Sequence, residues 1–111
     1  MSHFETDAIR IQRRSDLKEH SSPIFITSSF TFESAEEARA MFADEIQGNI
    51  YSRYSNPNSS DLIEKVCRAE GTEDGIATAS GMAAMFGSIA SLLQQGDHIL
   101  ASRSLFGSTH Q

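Results

Sequence analysis

Ile76-Ala77-Thr78-Ala79-Ser80-Gly81-Met82-Ala83-Ala84-Met85-Phe86 decides how this chain is read. Up to Ser80 the residues are small or β-branched, as in a short buried strand; after Gly81, Met, Ala and Phe take up a helical rhythm. A strand, a glycine and a helix in that order leave the amides of the first helical turn unpaired, facing outward beside the carboxyl end of the strand. The helix dipole adds roughly +0.5 charge at that point, so the place suits a phosphate. Glycine keeps a Cβ from standing between backbone and ligand. Many doubly wound α/β proteins join strand and helix this way and bind nothing, so the junction alone identifies no site.

Downstream the pattern continues as a helix from about Met82 to Gln94, with Phe86, Ile89, Ala90 and Leu93 facing inward. Gln95-Gly96-Asp97 turns the chain, and His98-Ile99-Leu100-Ala101-Ser102 reads as a second strand. A crossover helix between two strands makes them parallel. His98, at the start of that strand, reads as a packed or half-exposed imidazole rather than a catalytic one. Leu105 to Gln111 looks like a loop opening another helix. Two or three strands are too few for an open sheet with both faces covered. The expectation is therefore the amino-terminal part of a longer protein, or a chain that needs partners to bury its surface.

Upstream, Ser59 to Ala69 is helical, with Ser60 or Asp61 as cap, Leu62, Ile63, Val66 and Cys67 as apolar stripe, and Gly71 as terminator. Glu64 and Arg68 form an i,i+4 pair. Before it stands Ile50-Tyr51-Ser52-Arg53-Tyr54-Ser55-Asn56-Pro57-Asn58, whose Asn-Pro reads as a turn. An arginine flanked by tyrosine hydroxyls offers a guanidinium fork and O–H donors, which match a phosphate or a carboxylate. A solvated loop with a surface arginine would show the same residues. Ser34-Ala35-Glu36-Glu37 is a capping box opening a helix to about Glu45, with Ala38, Met41 and Phe42 on one face and Gly48-Asn49 as its break. Pro23 to Phe32 is a strand or an extended arm, and the arm needs no sheet partner. Glu5 to Arg14 suits a short amphipathic helix, followed by a polar linker, Ser15 to His20.

Composition narrows the classes. A net charge of -6 over 111 residues disfavours nucleic acid and anionic membranes as partners. No apolar run approaches the ~18 residues of a membrane span, and there is no signal-peptide pattern. The single Cys67 cannot form an internal disulfide, which suits a reducing cytoplasm, and it falls where a small buried hydrophobe belongs. The histidines His3, His20, His98 and His110 lack ligand spacing, so no metal site is expected. There is no internal repeat.

Tyr51-Ser52-Arg53 ahead of Asn56-Pro57, followed by Ala79-Ser80-Gly81-Met82-Ala83-Ala84, resembles the Cys/Met-metabolism family of pyridoxal-phosphate enzymes, the trans-sulfuration group of fold type I. The likeness runs from Ser22-Pro23 through Gly107-Ser108-Thr109. Within the family, Ser28-Ser29-Phe30, Ser34 to Ala38 and Ser102 to Thr109 look most like the O-succinylhomoserine sulfhydrylase branch. The resemblance implies the start of a fold type I transferase. Residues 1–58 would form an arm and helical segment contacting a neighbouring subunit, and residues 59–111 the incomplete beginning of the cofactor-binding α/β domain.

It also implies pyridoxal 5'-phosphate as cofactor. Gly81 and Met82 would offer amides to its phosphate, while Tyr51 and Arg53 would reach the same group in the neighbouring subunit's site. The functional unit would then be a homodimer or homotetramer acting on an amino-acid substrate. Phe106 falls where many relatives place a tyrosine that stacks on the pyridine ring, so stacking could survive without a hydroxyl. Asn58 replaces the family's usual threonine. The family's imine-forming lysine, its acid partner for the pyridinium nitrogen and its substrate-carboxylate arginine lie downstream of residue 111, and Lys18 and Lys65 are poor substitutes. No catalytic residue is assigned, and the chain by itself should be inert.

The implied activity of the full-length protein is γ-replacement on an O-acylhomoserine by sulfide or cysteine, giving homocysteine or cystathionine. A cystathionine or methionine γ-lyase is the alternative within the family. A non-catalytic association module and a nucleotide-binding α/β module are the alternatives outside it, the latter disfavoured because the glycines form neither G-x-G-x-x-G nor a Walker loop.

Overall fold

The computed structural model describes residues 3–11 and 18–110. Four helices follow in chain order: α1 (Phe4–Arg10), α2 (Ala35–Phe42), α3 (Pro57–Glu70) and α4 (Gly81–Ala90), then a 3-10 turn over Gly107–His110. The chain divides into two compact units, Met1–Gly75 and Ile76–Gln111.

In the first unit α2 opens as its capping box dictates. Ser34 is extended and its hydroxyl accepts from the Glu37 amide at 3.1 Å. The Glu37 carboxylate, however, reaches the amide of Glu33 at 2.5 Å, one residue outside the expected Ser34. The helix stops at Phe42, short of Glu45, because Asp44 turns into the left-handed region at φ 55°. Arg39 secures that end, bonding Glu36 at 2.8 Å and Glu45 at 2.7 and 3.0 Å.

Asn56-Pro57, expected as a turn ahead of the helix, is the start of α3 itself. Asn56 is the N-cap and Pro57 the first helical residue, where a missing N–H costs nothing. Asp61 is therefore not the cap; it is buried and accepts from the Ser22 hydroxyl. Gly71 ends the helix at φ 69°, as expected. The apolar stripe is only half realised. Cys67 is 9% exposed and Ile63 half-buried, but Leu62 and Val66 face outward. Helical spacing offered two adjacent stripes, and the packing of α1 and the arm engages only one. Lys65, placed on the surface by its spacing, is half-buried.

Residues 22–27 form an extended arm rather than a strand. Its backbone is held by side chains: Asn58 accepts from the Phe25 amide at 2.8 Å and donates to the Pro23 carbonyl at 2.6 Å, and Asn56 donates to the Phe25 carbonyl at 3.1 Å. Farther along, Phe30 and Ser52 donate to the carbonyls of Ile50 and Ser28 at 3.1 and 2.9 Å. They flank an antiparallel bridge between Ser29 and Tyr51, the only β-pairing among the described residues. The amphipathic helix expected over Glu5 to Arg14 ends at Arg10, with Ile11 extended; residues 12–17, with half of the polar linker, lie outside the described residues.

In the second unit Ser80 caps α4, accepting from the Ala83 amide at 3.2 Å. The helix ends at Ala90 rather than Gln94. A turn follows in which Gly96 takes φ 104° and the Asp97 carboxylate accepts from the Gln94 amide at 2.7 Å. The expected strands at 76–80 and 98–102 carry no ladder among the described residues. Nor are they buried, since Ile76 is 88% and Leu100 102% exposed. The inward face expected of α4 is likewise open, with Phe86 74% exposed. A strand's amides and carbonyls, and the apolar face of its crossover helix, need neighbouring strands. This stretch does not supply them.

Candidate functional site

In the first unit the Ser29–Tyr51 bridge ends in a tight turn. The amides of Tyr54 and Ser55 both bond the Tyr51 carbonyl, at 2.8 and 3.0 Å. The turn brings Tyr54 round to Tyr51, with ring centroids 6.5 Å apart and nearly edge-on. The Arg53 guanidinium lies between them, 5.3 Å from the Tyr51 centroid and 5.4 Å from that of Tyr54. Sequence reasoning placed the tyrosine hydroxyls beside the arginine; the structure instead gives it their faces. Ring faces attract a cation without consuming its N–H donors. Among the described residues Arg53 has no carboxylate partner, whereas Arg39 and Arg68 are paired with glutamates. Its fork remains available to a planar or tetrahedral anion.

Tyr54, which sequence reasoning counted only as a hydroxyl donor beside the arginine, was left out of the cofactor-binding set. Its signal was the spacing, since residues i and i+3 meet when a chain makes a single turn. Ser52 and Asn56 were also passed over. Asn58 was noted only as replacing the family's usual threonine, yet its side-chain amide pairs with the arm as a strand neighbour would.

In the second unit the junction is built as the motif requires. Ser80 is extended at φ -155°, its hydroxyl takes the Ala83 amide and its carbonyl the Ala84 amide. The Thr78 hydroxyl donates to the same carbonyl at 2.9 Å. Among the described residues the Gly81 and Met82 amides have no acceptor. A Cβ built on Gly81 meets nothing within 4 Å, so the space before the first turn is open. Two unspent amides at the positive end of a helix form a donor set that fits a phosphate. Phe106 is 76% exposed just before the 3-10 turn, its carbonyl accepting from the Thr109 amide at 2.8 Å. Its ring contacts no other aromatic among the described residues.

Residues 5–111 match the model of a family described as Cys/Met metabolism PLP-dependent enzyme. The chain belongs to that family. An O-succinylhomoserine sulfhydrylase of Pseudomonas aeruginosa is 49% identical over 107 residues, 96% of this chain and 27% of that protein. An L-methionine gamma-lyase of Fusobacterium nucleatum is 41% identical over 87 residues, 78% of this chain and 22% of that protein. A Campylobacter jejuni structure assigned as an O-acetylhomoserine (thiol)-lyase, holding N'-pyridoxyl-lysine-5'-monophosphate, superimposes with a TM-score of 0.90 at 35% identity. It covers 99% of this chain and 28% of its own. The chain thus spans about a quarter of the length of these Cys/Met-metabolism relatives. Its fold is the corresponding part of a fold type I enzyme, which explains extended segments and an apolar helix left without neighbours.

Proposed function

We propose that the protein carrying this segment is a pyridoxal-phosphate enzyme catalysing γ-replacement on an O-acylhomoserine, with sulfide or cysteine as nucleophile. The observation that carries this reading is Arg53, a cation held between two tyrosine faces with its donor fork unspent. Gly81 and Met82 donate amides to the cofactor phosphate, Tyr51 and Arg53 donate to the same phosphate from a neighbouring subunit, and Phe106 stacks on the ring. A phosphate with nearly two charges is poorly neutralised by a helix end alone, which is the reason for a lent guanidinium. The cofactor, when bound, supplies the electron sink for the substrate carbanion. These residues anchor, orient and exclude water.

The working unit is a homodimer or homotetramer. In it residues 1–58 meet the neighbouring subunit, and residues 59–111 open the cofactor-binding domain. A cytoplasmic setting follows from the chemistry and the lone cysteine. No helix among the described residues is long and apolar enough to cross a membrane.

The test is the visible absorption spectrum of the full-length protein. A cofactor band lost on borohydride reduction and weakened by Arg53→Ala is expected; a protein that stays colourless with added cofactor refutes the reading. A γ-lyase is the second reading, favoured by the likeness to L-methionine gamma-lyase. Release of methanethiol from methionine, without homocysteine from O-succinylhomoserine and sulfide, would establish it instead.

A further inference from the structure

We propose that Ser52 is a positioning residue for the anion-binding pair, and that the extended arm sets the aim of Arg53 through it. This rests on the reading above that Arg53 meets the cofactor phosphate. Ser52 stands between Tyr51 and Arg53, and its polar groups point elsewhere. Its amide donates to the Ser28 carbonyl at 2.9 Å and its hydroxyl to the Thr27 carbonyl. That hydroxyl also accepts from Asn56 Nδ2 at 3.1 Å. Asn56 is buried and fully committed: Oδ1 accepts from the Asn58 amide at 2.9 Å, and Nδ2 also donates to the Phe25 carbonyl at 3.1 Å. The arm, the tyrosine turn and the start of α3 therefore meet on one hydroxyl.

Among the described residues Arg53 has no such ties. There two ring faces hold its side chain, and a guanidinium so held takes its direction from the backbone that carries it. Bidentate recognition of a phosphate depends on that direction. The Ser52 hydroxyl is a side-chain anchor one residue away, held on two sides. Removing it leaves the guanidinium charged and present but free to swing.

The test uses full-length apoprotein, titrated with pyridoxal 5'-phosphate and separately with pyridoxal, which lacks the phosphate. Ser52→Ala should raise the dissociation constant for pyridoxal 5'-phosphate about 5-fold, the worth of a net hydrogen bond. It should leave pyridoxal affinity unchanged. In an Arg53→Ala background the same substitution should change affinity less than about 2-fold, because the two residues act as one unit. Should Ser52→Ala fail to yield soluble apoprotein, Ser52→Cys must show the same pattern, since a thiol fills the space of the hydroxyl but is only a weak donor and acceptor. Equal losses for both ligands, or losses that add in the double variant, mean a merely structural role and overturn the proposal. No loss with Ser52→Ala alongside a loss with Arg53→Ala also overturns it, while sparing the phosphate reading. Unchanged affinity with Arg53→Ala refutes the phosphate reading itself.

Discussion

Replacing Asn56 by alanine removes three hydrogen bonds that tie two backbone segments and a side chain together. The first is the α3 cap, Oδ1 to the Asn58 amide, whose loss typically costs about 1 kcal/mol. The others, to the Phe25 carbonyl and the Ser52 hydroxyl, are neutral bonds of about 1 kcal/mol each. Both freed acceptors border an open groove lined by Phe25, Ser52 and Asn56, so water takes back part of that cost. The net local destabilisation is about 2 kcal/mol, or roughly 30-fold in an opening equilibrium. Hydrogen exchange on the full-length protein reads it directly, because a multidomain protein gives no single unfolding free energy. The Phe25, Asn58 and Ser60 amides, which bond Asn58 Oδ1, Asn56 Oδ1 and the Asn56 carbonyl, should exchange about 30-fold faster. Asn56→Asp separates the parts: it retains the cap and suits the helix dipole, so Asn58 and Ser60 should stay protected while Phe25 opens. If all three amides respond alike to Asn56→Asp, or none responds to Asn56→Ala, the clasp does not work as described.

Other substitutions probe separate links. Gly71→Ala places a β-carbon at φ 69° where nothing crowds it, so the cost is backbone strain alone, about 1 kcal/mol; Gly71→Asn should recover much of it in the same exchange experiment at the end of α3. Arg53→Lys keeps the charge but loses the planar fork and its fit between two rings, and should raise the dissociation constant for pyridoxal 5'-phosphate about 10-fold. The Arg39 hydrogen bond holds the Glu45 carboxyl below its ordinary range. A folded value below the unfolded one means the stabilisation is present above about pH 4.3 and is lost as pH falls through the folded value. An NMR titration should place the Glu45 midpoint below that of a free glutamate, moving back up with Arg39→Gln and with added salt.

Local chemistry was legible wherever it depended on near neighbours. The Ser34 cap, the Gly71 terminator and the Ser80–Gly81 junction each involve residues within four positions of one another. Asn56-Pro57 was misjudged for a related reason. A proline stops a helix from its interior and starts one from its first turn, and the dipeptide alone does not say which side the helix lies on. Leu62 and Val66 were assigned inward because their spacing fits a helix face. Spacing says that a face exists, not that anything packs on it.

By itself the sequence determined that there are helices here, the Ser34 cap and the Gly71 terminator, the α/β class and the two motifs that mark the family, because these follow from backbone preference and short-range side-chain bonds. Only the tertiary structure decided that Arg53 lies across two tyrosine rings, and that Asn56 and Asn58 hold an arm about thirty residues upstream. Each of these depends on which distant segment arrives opposite a given residue. Chain entropy and packing settle that together, and no local pattern encodes it.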